Sequence, residues 1–340
     1  MRGKILVTGG TGYIGSHTVV QLIEAGFSVI VFDNLSNSSR SVLNRIVKLT
    51  GKHPAFIEGD IRDPAALQNM FKNHLIVSVI HFAGLKAVGE SEGQPLKYYD
   101  NNVSGSVVLF EEMARAGVQT VVFSSSATVY GAPGYAQYRE DAPLVPINVY
   151  GRTKLIVEDI FRDIKKSRPL WRMALLRYFN PVGAHVSGMV GEDPSGVTNN
   201  LMPFIAQVAV GKREKLSVFG GDYPTPDGAD RRDYIHVEDL AAGHLAALNK
   251  LINSDDDSPI TVNLGTGRPY SVLEMIRSFE RASGKSVPFE IVDRRTGDLA
   301  EYYADPILAN DILGWKAQLG IDRMCEDVWR WQSNNPNGFY

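Results

Sequence analysis

Tyr150 and Lys154 lie four residues apart in a segment with helical periodicity, Val149–Ile164. A helix at this position would project both side chains from one face. A phenol with a pKa near 10 is a weak base at neutral pH, but an ammonium about 4 Å away favours the phenolate by about 4 kcal/mol at an effective dielectric constant of about 20. Ser126 offers a hydroxyl that can hold a substrate oxygen. The three residues therefore predict a tyrosine base that removes a proton from an alcohol as hydride leaves its carbon.

The same residues also have simpler interpretations. Tyr and Lys at this spacing occur on the exposed faces of many helices, and serines are suited to capping the end of a strand. The catalytic interpretation is favoured because an apolar strand, Val121–Ser124, precedes the helix and ends in the small polar residues Ser124, Ser125 and Ser126.

A second functional pattern is a glycine turn between a predicted strand, Lys4–Thr8, and a predicted helix, Ser16–Ala25. Gly9 and Gly12 allow the backbone to turn tightly and approach a pyrophosphate, and Gly15 allows the helix to pack closely on the sheet. The helix N-terminus supplies N–H donors to the phosphates. The spacing is G-x-x-G-x-x-G, not the commoner G-x-G-x-x-G, and a tight turn without a ligand is the alternative.

Asp33 follows the next apolar strand at the distance where an acid accepts hydrogen bonds from the ribose hydroxyls of a dinucleotide. Its charge would repel a 2′-phosphate, so the sequence predicts NAD and not NADP as cofactor. A helix cap or turn residue is the simpler interpretation of Asp33.

Short apolar segments separated by helical patterns make up the first half of the chain. Because strands linked by helices form βαβ units, we predict an α/β fold with a doubly wound, Rossmann-type parallel sheet. The predicted strands are Lys4–Thr8, Ser28–Phe32, His53–Glu58, Val77–Phe82 and Thr120–Ser124.

The pattern changes near residue 180 to longer loops with short helices and strands between them. The loop Gly220–Asp233 ends in two arginines, which favours a functional role, whereas Asn253–Pro259 is interpreted as a solvated acidic turn. We therefore predict two parts: residues 1–180 bind NAD, and residues 181–340 form a smaller mixed α/β substrate lobe, part of which packs back on the first domain.

Bulk composition excludes several classes of protein. A net charge of −3 over 340 residues, with 35 basic and 38 acidic side chains, argues against a nucleic-acid-binding protein. No apolar stretch is long enough to span a bilayer. Cys325 is the single cysteine, and no apolar leader segment precedes the first strand, so we expect a cytoplasmic protein without disulfides. The seven histidines show no metal-ligand spacing, and we predict no metal.

Longer motifs carry a family resemblance over nearly the whole chain. They are His81–Ser91, Ser124–Gly131, Arg177–Ala184, Asn199–Pro203, Arg232–Val237 and Trp329–Gln332. In this order, together with the glycine turn, Asp33 and the Tyr150–Lys154 pair, they resemble the UDP-glucose 4-epimerase family, in the extended branch of the short-chain dehydrogenase/reductase superfamily.

The resemblance implies a set of site residues. The cofactor contacts of the family fall on Tyr13, Ile14, Asp33, Asn34, Asn37, Ser38, Asp60, Ile61, Phe82, Ala83, Gly84, Lys86, Asn101, Lys154 and Tyr178. Its UDP-sugar contacts fall on Asn180, Asn200, Leu201, Ser217, Phe219, Arg232, Arg295, Asp298 and Tyr302, with Ser126 and Tyr150 in the catalytic roles. Two arginines suit a diphosphate because guanidinium offers paired donors; without the resemblance, each is equally a surface ion pair.

The resemblance also implies the reaction, which is reversible epimerisation at C4 that interconverts UDP-galactose and UDP-glucose through a 4-keto sugar and tightly bound NAD. A homodimer is implied through helices near Asn101–Ala116 and Gly151–Lys165, although internal packing is the alternative role of their apolar faces. A bulky Tyr302 implies a hexose pocket too narrow for a 2-acetamido group, although this side chain has a packing role as its alternative. The loop Ala132–Val145 departs from the family in length and sequence, which leaves its path undetermined.

Three alternatives to this reaction stay open. Another NAD-dependent nucleotide-sugar epimerase, a reductase or decarboxylase, or a non-catalytic NAD-sensing protein would have the same fold. A dehydratase is disfavoured, because Ala127 and Thr128 follow Ser126 where that class places an acidic pair.

Overall fold

The computed structural model describes residues 3–132, 134, 136–193, 200–295 and 298–339. Its strands are β1 (Lys4–Thr8), β2 (Val29–Asp33), β3 (Ala55–Glu58), β4 (Ile76–His81), β5 (Thr120–Ser124), β6 (Gln137–Tyr138), β7 (Arg172–Tyr178), β8 (Asn180–Val182), β9 (Leu216–Phe219), β10 (Arg231–His236), β11 (Ile260–Leu264), β12 (Pro269–Ser271), β13 (Phe289–Val292) and β14 (Glu301–Ala304). Its helices are α1 (Tyr13–Glu24), α2 (Ser41–Thr50), α3 (Pro64–Asn73), α4 (Val88–Gly93), α5 (Pro95–Tyr98), α6 (Gly105–Arg115), α7 (Val149–Ser167), α8 (Leu201–Ala209), α9 (Val237–Asn253), α10 (Val272–Ser283), α11 (Ile307–Leu313) and α12 (Ile321–Asn334), with a π-helical segment at Tyr99–Ser104 and a 3₁₀ turn at Ala127–Val129.

Seven strands form one parallel sheet in the spatial order β11, β7, β5, β4, β1, β2, β3. From β1 the chain moves outward to β3, then returns to the other side of β1 and moves outward again from β4. This reversal confirms the predicted doubly wound fold and places a crevice at the carboxyl ends of β1 and β4. Both faces are buried, since Ile5 and Val7 of β1 belong to one core cluster and Leu6 to the other.

The predicted elements match the observed ones closely. Strands β1 and β5 have the predicted bounds, while the other predicted strands begin or end one or two residues away. Helix α1 begins at Tyr13 and not at Ser16, because the extended Gly12 is its N-cap and the helix starts directly after it. Helix α7 continues past the predicted end at Ile164 to Ser167.

A smaller sheet has the order β12, β10, β14, β6, with β8 added beside β10, and β9 and β13 form a separate pair. All of these strands except β6 come from the second half of the chain. Strand β10 begins at Arg231, so the last residues of the predicted loop Gly220–Asp233 are strand. Helices α8, α10 and α12 pack around a core cluster that contains Met202, Ile276 and Met324.

Part of the second half returns to the large sheet. Strand β11 pairs with β7 at the edge of that sheet, and Leu240 and Leu248 of α9 share a core cluster with Val19 and Leu22 of α1. The exposed acidic turn predicted at Asn253–Pro259 connects α9 to β11.

The loop Ala132–Val145 is described except for Pro133 and Tyr135, and Asn199 also lies outside the described residues. Within the loop, β6 pairs with β14, and Gly131 bridges to Val145. In the part of the chain that the structure covers, no helix has both the length and the apolar character needed to cross a membrane.

Candidate active site

A cleft of about 1230 Å³ opens at the carboxyl ends of the central strands and is lined by residues from both halves of the chain. The glycine turn forms one wall. A Cβ at Gly15 would lie 2.2 Å from the carbonyl oxygen of Gly9, and one at Gly9, where φ is +70°, would lie 2.7 Å from the backbone nitrogen of Ala83. Side chains are therefore excluded at the point where β1, α1 and β4 converge. This cradle fits a phosphate group at a helix N-terminus.

Asp33 ends β2 beside the glycine turn and is 7% exposed. Its carboxylate accepts hydrogen bonds from the backbone nitrogens of Thr11 (3.1 Å) and Leu35 (2.9 Å) and from the Ser38 hydroxyl (3.2 Å). The side chain thus holds the turn, as the simpler interpretation expects, and also presents its charge to the cleft. A dinucleotide ribose at this wall would meet an acceptor, as NAD requires.

Nearly all of the predicted cofactor residues line the cleft. They are Gly9, Gly12, Tyr13, Ile14, Gly15, Asp33, Asn34, Asn37, Ser38, Ile61, Phe82, Ala83, Gly84, Lys86, Asn101, Lys154 and Tyr178. Asp60 does not line it, but it accepts a hydrogen bond from Asn34 at 3.0 Å. Hydrogen bonds from Arg62 hold the pKa of Asp60 well below its usual range.

Tyr150 lies in the first turn of α7, where the side chain of Asn148 caps the helix by accepting a hydrogen bond from the Gly151 nitrogen at 2.7 Å. Lys154 lies one turn further along, is 5% exposed, and donates to the Ser124 carbonyl at 2.7 Å. Its ammonium lies 5.9 Å from the centre of the Tyr150 ring. The pair is therefore on one face and points into the cleft, as the spacing predicts.

The expected lowering of the Tyr150 pKa is not found in the protein alone. Burial raises the pKa of Tyr150 well above its usual value, the nearby Tyr178 phenol raises it further, and the hydrogen bond with Ser126 lowers it. Burial also lowers the pKa of Lys154 to about 8. The Lys154 ammonium bonds to the Ser124 carbonyl and not to the phenol, and burial is the largest influence on the pKa of Tyr150.

Ser126 has the capping role that the simpler interpretation expects and also contacts the proposed base. Its hydroxyl accepts hydrogen bonds from the backbone nitrogen (3.2 Å) and hydroxyl (2.9 Å) of Thr128 and so caps a 3₁₀ turn. It also interacts with the Tyr150 hydroxyl. Thr128, which the sequence analysis did not assign to the site, lines the cleft, whereas Ser126 itself does not.

Arg232 and Arg295 line the cleft on the side that faces the glycine turn, and both lie close to the carboxylate of Asp298. The Arg232 guanidinium lies 3.0 Å from Asp230 and 3.8 Å from Asp298, and Arg295 donates to Asp298 at 2.8 Å. The Arg232 side chain is 16% exposed and that of Arg295 is 56% exposed. Two guanidiniums facing one cleft suit a diphosphate, with acidic partners that hold them in place.

The other predicted substrate residues divide into two groups. Asn180, Asn200 and Tyr302 line the cleft, whereas Leu201, Ser217 and Phe219 do not. Phe219 contacts a cleft residue, because its ring centre lies 4.6 Å from the Arg295 guanidinium.

Tyr302 closes the end of the cleft next to Ser126. Its hydroxyl donates to the carbonyl of Ala127, and its ring lies 4.4 Å from Tyr138 and 5.2 Å from Phe179. The ring is thus held by packing, as the simpler interpretation expects, while it also forms part of the cleft wall.

Glu192 is a cleft residue that sequence reasoning missed. One of its carboxylate oxygens accepts from Lys86 at 3.0 Å and from Asn200 at 2.7 Å, and thereby joins the two walls. No local pattern marks this residue, because its position depends on a partner 106 residues away. Within the described ranges, no group of three or more His, Cys, Asp or Glu side chains is placed to hold a metal ion.

Comparison with known proteins gives consistent matches. The NAD dependent epimerase/dehydratase family matches residues 5–265. The UDP-glucose 4-epimerase of Bacillus subtilis (strain 168) is 57% identical over 335 residues, which cover 98% of each chain. That of Mus musculus is 55% identical over 343 residues, covering 99% of this chain and 98% of the relative.

Solved structures agree with these sequence matches. The crystal structure of UDP-glucose-4-epimerase from Stenotrophomonas maltophila, with bound NAD and formylated UDP-arabinopyranose, has a TM-score of 0.96 and 50% identity, covering 98% of this chain and 99% of that chain. The enzyme from Bifidobacterium longum, in complex with NAD+ and UDP, has a TM-score of 0.94 and 48% identity, covering 98% and 99%.

Proposed function

Since the chain belongs to the NAD dependent epimerase/dehydratase family, we propose that it interconverts UDP-galactose and UDP-glucose by inverting C4 of the hexose. The observation that carries the proposal is the single cleft in which Tyr150 and Lys154 face the glycine turn on one side and Arg232 and Arg295 on the other. Relatives named UDP-glucose 4-epimerase that align over essentially the whole chain support it.

Bound NAD would supply an acceptor that takes hydride from C4 and returns it. We propose that Gly9, Gly12 and Gly15 hold its pyrophosphate and that Asp33 holds its adenosine ribose. Because the cofactor is regenerated in each turnover, NAD is a resident catalyst and is not consumed.

Tyr150 is the proposed acid and base. Its phenolate takes the proton of the 4-hydroxyl as C4 is oxidised, and its phenol gives the proton back when the 4-keto sugar is reduced. The raised pKa of Tyr150 in the protein alone means that positive charge must favour the phenolate before it acts. Lys154 supplies such charge next to the phenol, and Ser126 positions the substrate oxygen.

Inversion requires that the keto sugar turn over while the nucleotide stays bound. Arg232 and Arg295 would hold the diphosphate, and Asn180 and Asn200 lie beside them on the cleft wall. Strong contacts to UDP combined with weak contacts to the hexose allow either face of the ketone to meet the returning hydride. Tyr302 would limit the space for a substituent at C2, so we propose that UDP-GlcNAc is a poor substrate.

We also propose a division into two domains and a dimeric assembly. Residues 1–180 would form the NAD-binding domain and residues 181–340 the UDP-sugar lobe, with β11 and α9 packing back on the first. Two copies would associate through the outer faces of α6 and α7, where Val107 and Ile156 remain partly exposed. We propose a cytoplasmic homodimer.

A coupled assay for UDP-glucose, started with UDP-galactose and without added NAD, tests the function, and the absorbance of the purified protein reports bound cofactor. Product formation without external NAD is the expected result. Bound NAD without product would overturn the proposed substrate and favour a different nucleotide sugar, a reductase or an NAD-sensing protein.

A further inference from the structure

Three residues on one face of α7 are matched by three consecutive serines at the end of β5. Tyr150 interacts with the Ser126 hydroxyl, and Lys154 donates to the Ser124 carbonyl at 2.7 Å. One turn further along α7, the Glu158 carboxylate accepts from the Ser125 hydroxyl at 2.6 Å. Positions 150, 154 and 158 lie above one another because residues four apart share a helix face. The helix is therefore fastened to the strand end at three successive turns.

Glu158 is the only one of these three helix residues that does not line the cleft, and its side chain is completely buried. Its carboxylate accepts two hydrogen bonds from Arg177 of β7, at 3.0 and 2.7 Å, in a bidentate arrangement. Arg162 adds a third bond at 2.8 Å from the outer side of the helix. The carboxylate thus has a fixed position and a fixed orientation.

The Arg177 guanidinium extends the network across the sheet. It donates to the Tyr130 hydroxyl at 3.0 Å and to the Glu140 carbonyl at 3.1 Å. The Tyr130 hydroxyl in turn donates to Asn263 of β11 at 2.7 Å. Contacts with Tyr130, Glu140 and, through Tyr130, β11 therefore hold Arg177 of β7, which in turn holds Glu158. Glu158 holds the end of β5 through Ser125.

A buried ion pair is weak evidence for a stabilising role. Replacing such a pair with apolar residues of similar volume often leaves a protein equally or more stable, because burying charges is costly. What a bidentate pair adds is a defined geometry. That geometry is needed at the end of β5, because a displacement of about 1 Å in a reacting group can reduce the rate about 100-fold.

We propose that Glu158 is a positioning residue for the catalytic pair. By holding Ser125 against Arg177, it fixes the register between α7 and the strand end, so that Ser126 and Lys154 stay aligned with Tyr150. The inference rests on the proposed function only in taking Tyr150 as the base, and it assigns Glu158 no contact with substrate or cofactor.

The test uses the full-length holoenzyme with two substitutions. Glu158→Gln removes the charge, and Ser125→Ala removes the hydroxyl without placing an unpaired charge in the core. Each is expected to lower kcat for UDP-galactose about 10- to 100-fold while KM changes less than about twofold, because the UDP-binding residues lie on the opposite wall. In the double variant the losses should not multiply, since both substitutions weaken the same contact between Glu158 and Ser125.

Asp163→Asn is the matched control. Asp163 is also an acidic residue of α7, but it is 74% exposed and pairs with the exposed Lys166. Its substitution is expected to leave both kinetic constants unchanged. Thermal unfolding of every variant separates loss of structure from loss of alignment.

Two results would overturn the proposal: a lower melting temperature with kcat unchanged in the folded Ser125→Ala enzyme, or losses that multiply in the double variant. The unsubstituted enzyme is assayed first. If it does not turn over UDP-galactose, the proposed function fails, and the role of Glu158 is then measured as the rate at which other nucleotide sugars reduce the bound nicotinamide in each variant.

Discussion

Arg232 and Tyr302 lie directly opposite each other in the register of β10 and β14. The first faces the proposed diphosphate position, and the second closes the end of the cleft where the hexose would lie. Pairing of β10 with β14 therefore sets the distance between Arg232, which would bind the diphosphate, and Tyr302, which would limit the hexose pocket. Asp233, the residue after Arg232, reinforces this arrangement, because its buried carboxylate accepts from the backbone nitrogen of Ala304 at 3.1 Å.

Replacing Tyr302 with serine is expected to admit a larger hexose. The aromatic ring forms the wall, so Tyr302→Ser should raise kcat/KM for UDP-GlcNAc at least about tenfold, an effect of about 1.4 kcal/mol on the transition state. Tyr302→Phe keeps the ring and loses only the hydrogen bond to Ala127, and it should bring no such gain. Robust UDP-GlcNAc turnover by the unsubstituted enzyme would contradict the assigned role.

Removing the phenolic oxygen of Tyr150 is expected to stop catalysis without emptying the site. A general acid or base contributes about 10²- to 10⁴-fold, so Tyr150→Phe should lower kcat by at least about 10²-fold. Bound NAD and affinity for UDP, measured by absorbance and calorimetry, should stay within about twofold of the original values because the ring is retained. Tyr303→Phe on β14 serves as the control. Unchanged turnover in Tyr150→Phe would assign the base to another residue.

A side chain at Gly15 is expected to expel the cofactor. The added Cβ would lie 2.2 Å from the Gly9 carbonyl oxygen, so α1 must move away from the glycine turn. Gly15→Ala protein should therefore purify with at least about tenfold less bound NAD, since the helix N-terminus no longer faces the phosphates. Gly320→Ala, where an added Cβ meets no atom within 4 Å, should retain its cofactor. Full NAD occupancy in Gly15→Ala would count against this cradle.

Acid is expected to destabilise the protein partly through His81. Burial lowers the pKa of His81 to about 3, and its ring nitrogens lie 2.7 Å from the Thr8 hydroxyl and 3.0 Å from that of Ser106. Because the unfolded chain binds a proton that the folded chain does not between pH 6.5 and about 3, the free energy of unfolding falls as pH falls through this window.

The expected contribution of His81 is a loss of about 2 kcal/mol between pH 7 and pH 5, measured by urea unfolding. His81→Gln should reduce the slope of the free energy of unfolding against pH by about one proton below pH 6.5. The comparison uses the slope of the free energy of unfolding against pH, because any buried substitution changes the absolute free energy of unfolding. Equal slopes in the His81→Gln and unsubstituted proteins would show that His81 takes up a proton in the folded state.

What could be predicted from the sequence was mostly local. The glycine turn, strands β1 and β5, and the common face of Tyr150 and Lys154 follow from spacing and periodicity within about twenty residues. Glu192 could not be predicted, because its partner Lys86 lies far away in the chain. The pairing of Glu158 with Arg177 likewise depends on how α7 packs on β7.

The pKa of Tyr150 could not be predicted from the sequence for a related reason. A Coulomb estimate for Tyr150 and Lys154 requires only their spacing, but the pKa of Tyr150 depends first on how much protein surrounds it, and burial is a property of the whole fold.

The position of β11 at the edge of the large sheet has a consequence for synthesis. Strand β7 ends at residue 178 and β11 begins at residue 260, so β7 is synthesised more than eighty residues before its partner. The edge of β7 that pairs with β11 therefore stays unpaired until β11 has been synthesised. An open edge of this kind is a template for pairing with other chains. A fragment that stops at residue 180 should therefore aggregate, and chaperone contact during synthesis should be densest while ribosomes translate the stretch between these two strands.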